Sequence, residues 1–290
     1  MPDLIPAAKA ALAALGVRPR KSLGQNFMVE SRELRRIAEA LDLKPGDTAV
    51  EIGPGLGFLT RFLLERGAEV IAVEKDASMA RYLSAAFGEK SLRVLNKDIL
   101  AVDLAPVLRT PKKIAVAGNI PYAITSPIVE WLISQKPFVS EAVLTVQKEV
   151  AERLAAHPGI KSWGPLSAFL QFHAEVIFLK KIGKSAFFPS PQVDSAAVKI
   201  RFLDKPSVSV TDERFFFKVL RTAFQKRRKT LLNSLLDVPV PNSAEHFTKP
   251  ALTAAFEKLR LDPRRRPETL TLAEWAGLAN ILVEAPRSVL

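Results

Sequence analysis

Between Thr48 and Phe202 the apolar positions follow two alternating patterns. Short runs rich in Val, Ile and Leu, at Thr48–Ile52, Glu69–Val73, Leu92–Leu95, Ile114–Ala117 and Ala142–Val146, have the length and composition of buried strands. Between them lie segments such as Phe58–Arg66 and Ala77–Phe87, whose apolar residues recur at helical spacing. Strands alternating with helices predict an α/β domain, a Rossmann-like doubly wound parallel sheet covered on both faces. Val176–Leu179 and Ala196–Phe202 read as two later strands that could close the sheet as a hairpin. The alanine-rich stretch Leu4–Leu15 predicts a short helix within an N-terminal extension over residues 1–27.

From about Thr211 the strand signals stop. Asp212–Phe224, Arg227–Leu236 and Ala251–Leu259 have helical spacing, and Thr271-Leu-Ala-Glu274 has the form of a capping box ahead of Trp275, Leu278, Ala279 and Leu282. The pattern divides the chain into a larger domain over residues 1–205 and a smaller all-helical domain over residues 206–290.

Composition narrows the function. The 290 residues carry 42 Lys and Arg against 30 Asp and Glu, a net charge of +12, which favours a polyanionic partner, nucleic acid before membrane. No apolar run reaches the roughly eighteen residues of a membrane span, and the start lacks a secretory pattern, so a cytoplasmic protein is expected. The absence of Cys excludes disulfides and thiolate metal sites, and three scattered histidines, His157, His173 and His246, make no metal cluster. A metal-free monomer is the expectation.

Four features of the sequence carry chemistry. In Val50-Glu-Ile-Gly-Pro-Gly-Leu-Gly57, the glycines Gly53, Gly55 and Gly57 fall where a strand gives way to a helix, allowing a tight turn and close approach of a nucleoside. Glu74 ends the next strand, where a carboxylate can accept both hydroxyls of a ribose. Asp98 ends the third and could reach an adenine amino group. The loop is Gly-x-Gly-x-Gly and not the dinucleotide Gly-x-Gly-x-x-Gly, which favours S-adenosylmethionine over NAD. Gly118-Asn-Ile-Pro-Tyr122 then follows the fourth strand, at the sheet edge where ligands bind in open α/β folds. There Asn119 and a carbonyl of Ile120 or Pro121 could accept the hydrogens of a planar exocyclic amine, turning its lone pair towards the cofactor methyl. Tyr122 would offer a ring face to the base.

With these motifs in order, the sequence resembles the KsgA-type small-subunit ribosomal RNA adenine dimethyltransferases, relatives of the Erm methyltransferases of the large subunit. The resemblance spans nearly the whole chain. It includes the opening motif Lys21-Ser-Leu-Gly-Gln-Asn-Phe27, the late motif Ala186-Phe-Phe-Pro-Ser-Pro-Gln-Val-Asp-Ser195 and the basic segment Ala223-Phe-Gln-Lys-Arg-Arg-Lys-Thr-Leu231. It implies that residues 1–205 form an S-adenosylmethionine-dependent methyltransferase domain. By the same resemblance Gln25, Asn26 and Met28 would enclose the cofactor with Gly53, Gly55, Glu74, Asp98 and Asn119. Phe187 would stack on the target adenine opposite Tyr122, with Phe188 in the core. Pro165 stands where the family usually has Arg, removing one candidate RNA contact.

The helical part holds two basic clusters, Lys226-Arg227-Arg228-Lys229 and Arg264-Arg265-Arg266, and with Arg18, Arg20 and Lys21 near the start they are read as a phosphate-binding surface around the mouth of the catalytic domain. The resulting expectation is dimethylation of adenine N6 on two adjacent adenosines near the 3′ end of small-subunit rRNA, linked to ribosome biogenesis. An Erm-type enzyme, a protein glutamine methyltransferase and a non-catalytic assembly factor on the same fold are the alternatives.

Overall fold

The computed structural model describes residues 4–20, 23–88, 92–226, 228–241, 243 and 245–284. The chain forms two compact units, Met1–Ala151 with Glu175–Phe202, and Glu152–Ala174 with Leu203–Leu290.

The first unit begins with helix α1 (Ile5–Ala14), a two-residue strand β1 (Phe27–Met28) and α2 (Ser31–Ala40). There follow β2 (Thr48–Ile52), α3 (Phe58–Glu65), β3 (Glu69–Glu74), α4 (Ala77–Phe87), β4 (Leu92–Asn96), β5 (Ile114–Asn119), α5 (Thr125–Ser134) and β6 (Val139–Gln147). Helix α6 (Lys148–Leu154) contains the unit boundary, and β7 (Ala174–Ile182), β8 (Phe187–Phe188) and β9 (Ser195–Phe202) complete the strands.

The seven-stranded sheet has the order β4-β3-β2-β5-β6-β9-β7. The pairs β3–β4, β2–β3, β2–β5 and β5–β6 are parallel, and β9 runs antiparallel to β6. The two late strands are neighbours as expected, with β9 inserted between β6 and β7. The chain builds outward from β2 through β3 to β4, then returns to place β5 on the other side of β2. That reversal opens a crevice at the carboxyl ends of β2 and β5, where Gly53 and Asn119 stand. Small residues on one sheet face, Ala49, Ala115 and Ala117 among them, let Leu34, Ile37, Leu59 and Phe62 of α2 and α3 pack closely against it. Asp76 caps α4 by accepting the Ser78 N–H at 2.9 Å.

Strands β1 and β8 pair antiparallel, Phe27 with Phe188 and Met28 with Phe187. Two-residue strands have no periodicity to read, and the sequence pattern did not reveal this ribbon.

The second unit contains α7 (Pro165–His173), α8 (Glu213–Gln225), α9 (Leu231–Leu235), α10 (Lys249–Leu259) and α11 (Leu272–Glu284). Phe216, Val219, Leu220 and Ala223 give α8 its buried stripe, and Trp163, Phe172, Phe256 and Trp275 join the same core. The capping box of α11 forms: Glu274 N–H donates to Thr271 Oγ1 at 3.1 Å, and Thr271 N–H donates to Glu274 Oε2 at 2.8 Å.

Two expectations are corrected. The division at 205/206 misses Glu152–Ala174, which joins the helical unit because Trp163, Ala168 and Phe172 fill its core. The helix expected over Arg227–Leu236 is limited to Leu231–Leu235, because Thr230 caps it by accepting the Asn233 N–H.

Candidate active site

A cavity of about 410 Å³ opens in the first unit, lined by the ends of β2, β3 and β5 and by the segment leading into β1. Gly53, Gly55, Glu74 and Asp98 lie on its wall, as do Asn119, Pro121 and Tyr122. Gln25, Asn26 and Met28 line it from the N-terminal segment. Every cofactor-binding residue expected from the sequence is therefore at one cavity, together with three of the four expected catalytic residues.

Gly53, Gly55 and Gly57 adopt positive φ of 62°, 57° and 76°, a region in which residues with a Cβ are strained. Their reasons differ. A Cβ on Gly55 would lie 2.8 Å from the Phe27 ring and one on Gly57 would collide with the Phe87 ring, so these two allow side chains to close over the loop. At Gly53 a Cβ would meet nothing within 4 Å, which leaves open space beside the cavity.

Glu74 is held rigidly. Its Oε2 accepts the Gly55 N–H at 3.0 Å and its Oε1 accepts the Asp76 N–H at 2.8 Å, while Asn96 Nδ2 donates to its main-chain oxygen at 2.8 Å. Burial raises its pKa, opposed by the two N–H bonds. Each carboxylate oxygen keeps a second lone pair for a further donor.

Asp98 does two things at once. Its Oδ1 accepts the Leu100 N–H at 3.1 Å, capping the 3-10 turn Ile99–Ala101, and its Oδ2 accepts from Lys75 Nζ at 2.8 Å. The lysine bond holds its carboxyl below the usual range.

Asn119 Nδ2 donates to the main-chain oxygen of Asn26 at 2.7 Å. Tyr122 shares a hydrogen bond with Ser195 Oγ at 2.8 Å, and burial raises the phenol's pKa, so it stays protonated. The N-terminal segment is tied down at several points. Gln25 Nε2 donates to Asp76 Oδ2 at 3.2 Å, Arg20 stands 3.5 Å from the same oxygen, and a Cβ on Gly24 would lie 2.9 Å from Pro121.

Phe187 requires a correction. It is 4% exposed, packed with Met28, Ile182, Ala186 and Ala197, and it is not on the cavity wall. Pairing of β8 with β1 turns Phe187 into the core and leaves Phe188 half-buried, with Lys9 Nζ 5.7 Å from its ring centre. The exposures expected for the two phenylalanines are thus reversed.

Three further cavity residues had been given no role from the sequence, Glu51 among them although it lies within the glycine motif. Glu51, buried on β2, accepts the Thr60 hydroxyl at 2.6 Å, and burial pushes its pKa up to about 8 with help from the nearby charge of Glu74. Its signal was an acid inside an apolar strand. Thr145 pairs in register with Asn119, and its buried hydroxyl has no partner among the described residues. Ile99 closes the wall beside Asp98 and had no sequence signal.

In the second unit the two basic clusters meet. Leu231 N–H donates to the Arg265 oxygen at 2.7 Å and Leu232 N–H to the Pro263 oxygen at 3.1 Å, bringing both turns side by side. Arg228, Lys229, Arg264 and Arg266 are exposed there. Arg264 also donates to Asp262 at 3.2 Å, and Lys226 is paired with Asp237. Arg265 is corrected to a structural role: its guanidinium donates to Glu274 at 2.5 and 3.2 Å and to the Thr269 oxygen at 2.6 Å. Arg227 and Lys21 lie outside the described residues.

Among the described residues no group of His, Cys, Asp and Glu could hold a metal ion, and no helix is long and apolar enough to cross a membrane.

The profile of the family described as ribosomal RNA adenine dimethylase matches residues 16–276. Proteins named ribosomal RNA small subunit methyltransferase A are similar over almost the whole chain. That of Moorella thermoacetica is 41% identical, covering 92% of this chain and 93% of its own, and that of Geobacillus thermodenitrificans 38% identical, covering 95% and 94%. Among solved structures, the 23S rRNA methyltransferase ErmE is 26% identical with a TM-score of 0.70, covering 89% of this chain and 99% of its own. A dimethyladenosine transferase from Plasmodium falciparum is 28% identical with a TM-score of 0.70, covering 85% and 94%. With a profile match from residue 16 to 276 and relatives this similar over nine-tenths of their own length, the chain belongs to the ribosomal RNA adenine dimethylase family.

Proposed function

We propose that this protein transfers methyl groups from S-adenosylmethionine to adenine N6, twice per base, on two adjacent adenosines near the 3′ end of small-subunit rRNA. The reading rests first on the fixed polarity of Asn119. The Asn26 carbonyl oxygen can only accept, so the atom bonded to it is the amide nitrogen. Asn119 Oδ1 is left as an acceptor at the cavity.

The cavity fits the cofactor by its donor set and its space. Glu74 would hold the ribose hydroxyls and Asp98 the adenine amino group, while the open side of Gly53 leaves room at the loop. When bound, the cofactor supplies an electrophilic methyl group on a positively charged sulfur. Asn119 Oδ1 and a main-chain carbonyl of Ile120 or Pro121 would accept hydrogen bonds from the N6 hydrogens, freeing the nitrogen lone pair from the ring. These preorganised acceptors stabilise the positive charge that develops on nitrogen, so no strong base is needed and the proton leaves afterwards to water. Tyr122 would hold the base by its ring face.

On the second unit, Arg228, Lys229, Arg264 and Arg266 would meet rRNA phosphates. A ribosomal substrate implies work in the cytoplasm. The higher identity to proteins named for the small subunit than to ErmE favours the small-subunit substrate.

Incubation with radiolabelled S-adenosylmethionine and, separately, undermethylated small subunits, large subunits and total protein tests the reading. Label in small subunits is expected. Label confined to large subunits would favour the Erm-type activity, and label confined to protein would overturn the proposal.

A further inference from the structure

The hydroxyl of Tyr122 reaches Ser195 Oγ at 2.8 Å, across 73 positions of sequence. Tyr122 begins the 3-10 turn that follows β5, whereas Ser195 begins β9 and faces Gln147 of β6 across the antiparallel ladder. In the sheet, β6 lies between β5 and β9. The tyrosine therefore spans a whole strand, with one end of its ring fixed by the backbone and the other by a hydrogen bond to a residue without exposed surface.

Ser195 is itself immobilised by its neighbour. Asp194 Oδ1 accepts the Lys184 N–H at 3.0 Å, its Oδ2 stands 2.7 Å from Lys181 Nζ, and its carbonyl accepts the Lys148 N–H at 3.0 Å. Ser195 is not on the cavity wall, whereas Tyr122 is. Any effect of Ser195 on a bound base must therefore pass through the tyrosine.

We propose that Ser195 is a positioning residue for methyl transfer, its hydroxyl holding the Tyr122 ring in the orientation that stacks on the target adenine. The proposal rests on the adenine-methylation reading given above. Asn119 and Tyr122 are then each tethered from outside the loop that carries them, by Asn26 and by Ser195. A stacking ring that swings by a fraction of an ångström displaces N6 from its acceptors, and misplacement of that size slows transfer steeply. Binding of rRNA phosphates and of the cofactor does not depend on the ring's angle.

The test is single-turnover methylation of undermethylated small subunits by wild type, Ser195→Ala, Tyr122→Phe, the double variant and Ser195→Thr, with cofactor affinity and Tm measured in parallel. Tyr122→Phe removes the same bond while keeping the ring, so the test stands even where Ser195→Ala does not fold. Each single variant should slow transfer by about tenfold with unchanged cofactor affinity. The double variant should be no slower than the slower single one, and Ser195→Thr should recover most of the rate. Rates within twofold of wild type accompanied by a lower Tm would reduce the bond to a structural one and overturn the proposal. Multiplicative losses in the double variant would overturn it as well. A wild type that methylates no adenine would overturn the functional reading and this proposal together, whereas an active wild type with unaffected variants overturns this proposal alone.

Discussion

Asn119, at the end of β5, gives its amide N–H to the main-chain oxygen of Asn26, 93 residues earlier and 2.7 Å away. One bond thereby fixes the polarity of the amide and joins the N-terminal segment to the loop that would hold the base. Asn119→Ala removes the acceptor, and transfer should fall about a hundredfold, as when one preorganised group is lost from a charge-stabilising site. Affinity for rRNA should remain, since phosphates supply it. Single-turnover rates within a few fold of wild type would contradict this role.

Glu74 is preorganised by the N–H groups of Gly55 and Asp76. Glu74→Ala should weaken S-adenosylmethionine binding by about 1.5–3 kcal/mol, the scale of a hydrogen bond to a charged group. Calorimetric titration checks it, and equal affinities would remove Glu74 from the cofactor site.

Glu51 predicts a pH dependence of stability. Burial lifts its pKa from an ordinary 4.5 to about 8 in the folded protein, so between these values the folded state binds a proton that the unfolded state releases. Its contribution to stability is full below pH 4.5 and lost as pH rises towards 8, by about 1.4 kcal/mol per pH unit. Glu51→Gln still accepts from Thr60 and carries no ionisable group. Thermal melts without added cofactor should show the variant gaining on wild type across that window and no further above it. Parallel pH profiles would contradict the assignment.

The two phenylalanines of β8 separate by burial. Phe187→Ala opens a core cavity and should cost about 3–5 kcal/mol in denaturant melts, while the half-buried Phe188 should cost clearly less. The reverse order would place Phe188 in the core and Phe187 outside it.

The composite basic surface predicts a salt effect. Neutralising Arg228 and Arg266 together should flatten the log–log salt dependence of rRNA binding by roughly 0.7–0.9 per lost phosphate contact. Cofactor affinity should be unchanged. An unchanged slope would make these two arginines solvated side chains only. Arg265→Ala should instead lower stability, because its guanidinium ties Thr269 to Glu274.

Most of the first unit could be read from the sequence because buried parallel strands and their glycine-marked turns depend on local pattern. Thr48–Ile52 and Ala77–Phe87 coincide with the observed elements. The cavity residues were legible for a related reason: in a doubly wound sheet, strand ends converge on one edge, so Gly53, Glu74 and Asn119 are brought together by topology. What escaped depends on distant pairing. The β1–β8 ribbon decides which of Phe187 and Phe188 is buried, and no local spacing encodes it. The bond between Tyr122 and Ser195 and the guanidinium clamp of Arg265 likewise join groups that nothing in the sequence marks as partners. Glu152–Ala174 was assigned to the wrong unit because nothing local marks Trp163, Ala168 and Phe172 as members of the helical core.

Methylation of adenine N6 in small-subunit rRNA is the role assigned to the Asn119 loop. It is tested most directly by digesting that RNA to nucleosides after incubation with S-adenosylmethionine and weighing the products by mass spectrometry. Wild type should yield N6,N6-dimethyladenosine from undermethylated small subunits, and Asn119→Ala only a trace in the same time. Methylation of another base or another atom of adenine, or an undiminished yield from Asn119→Ala, would contradict the account.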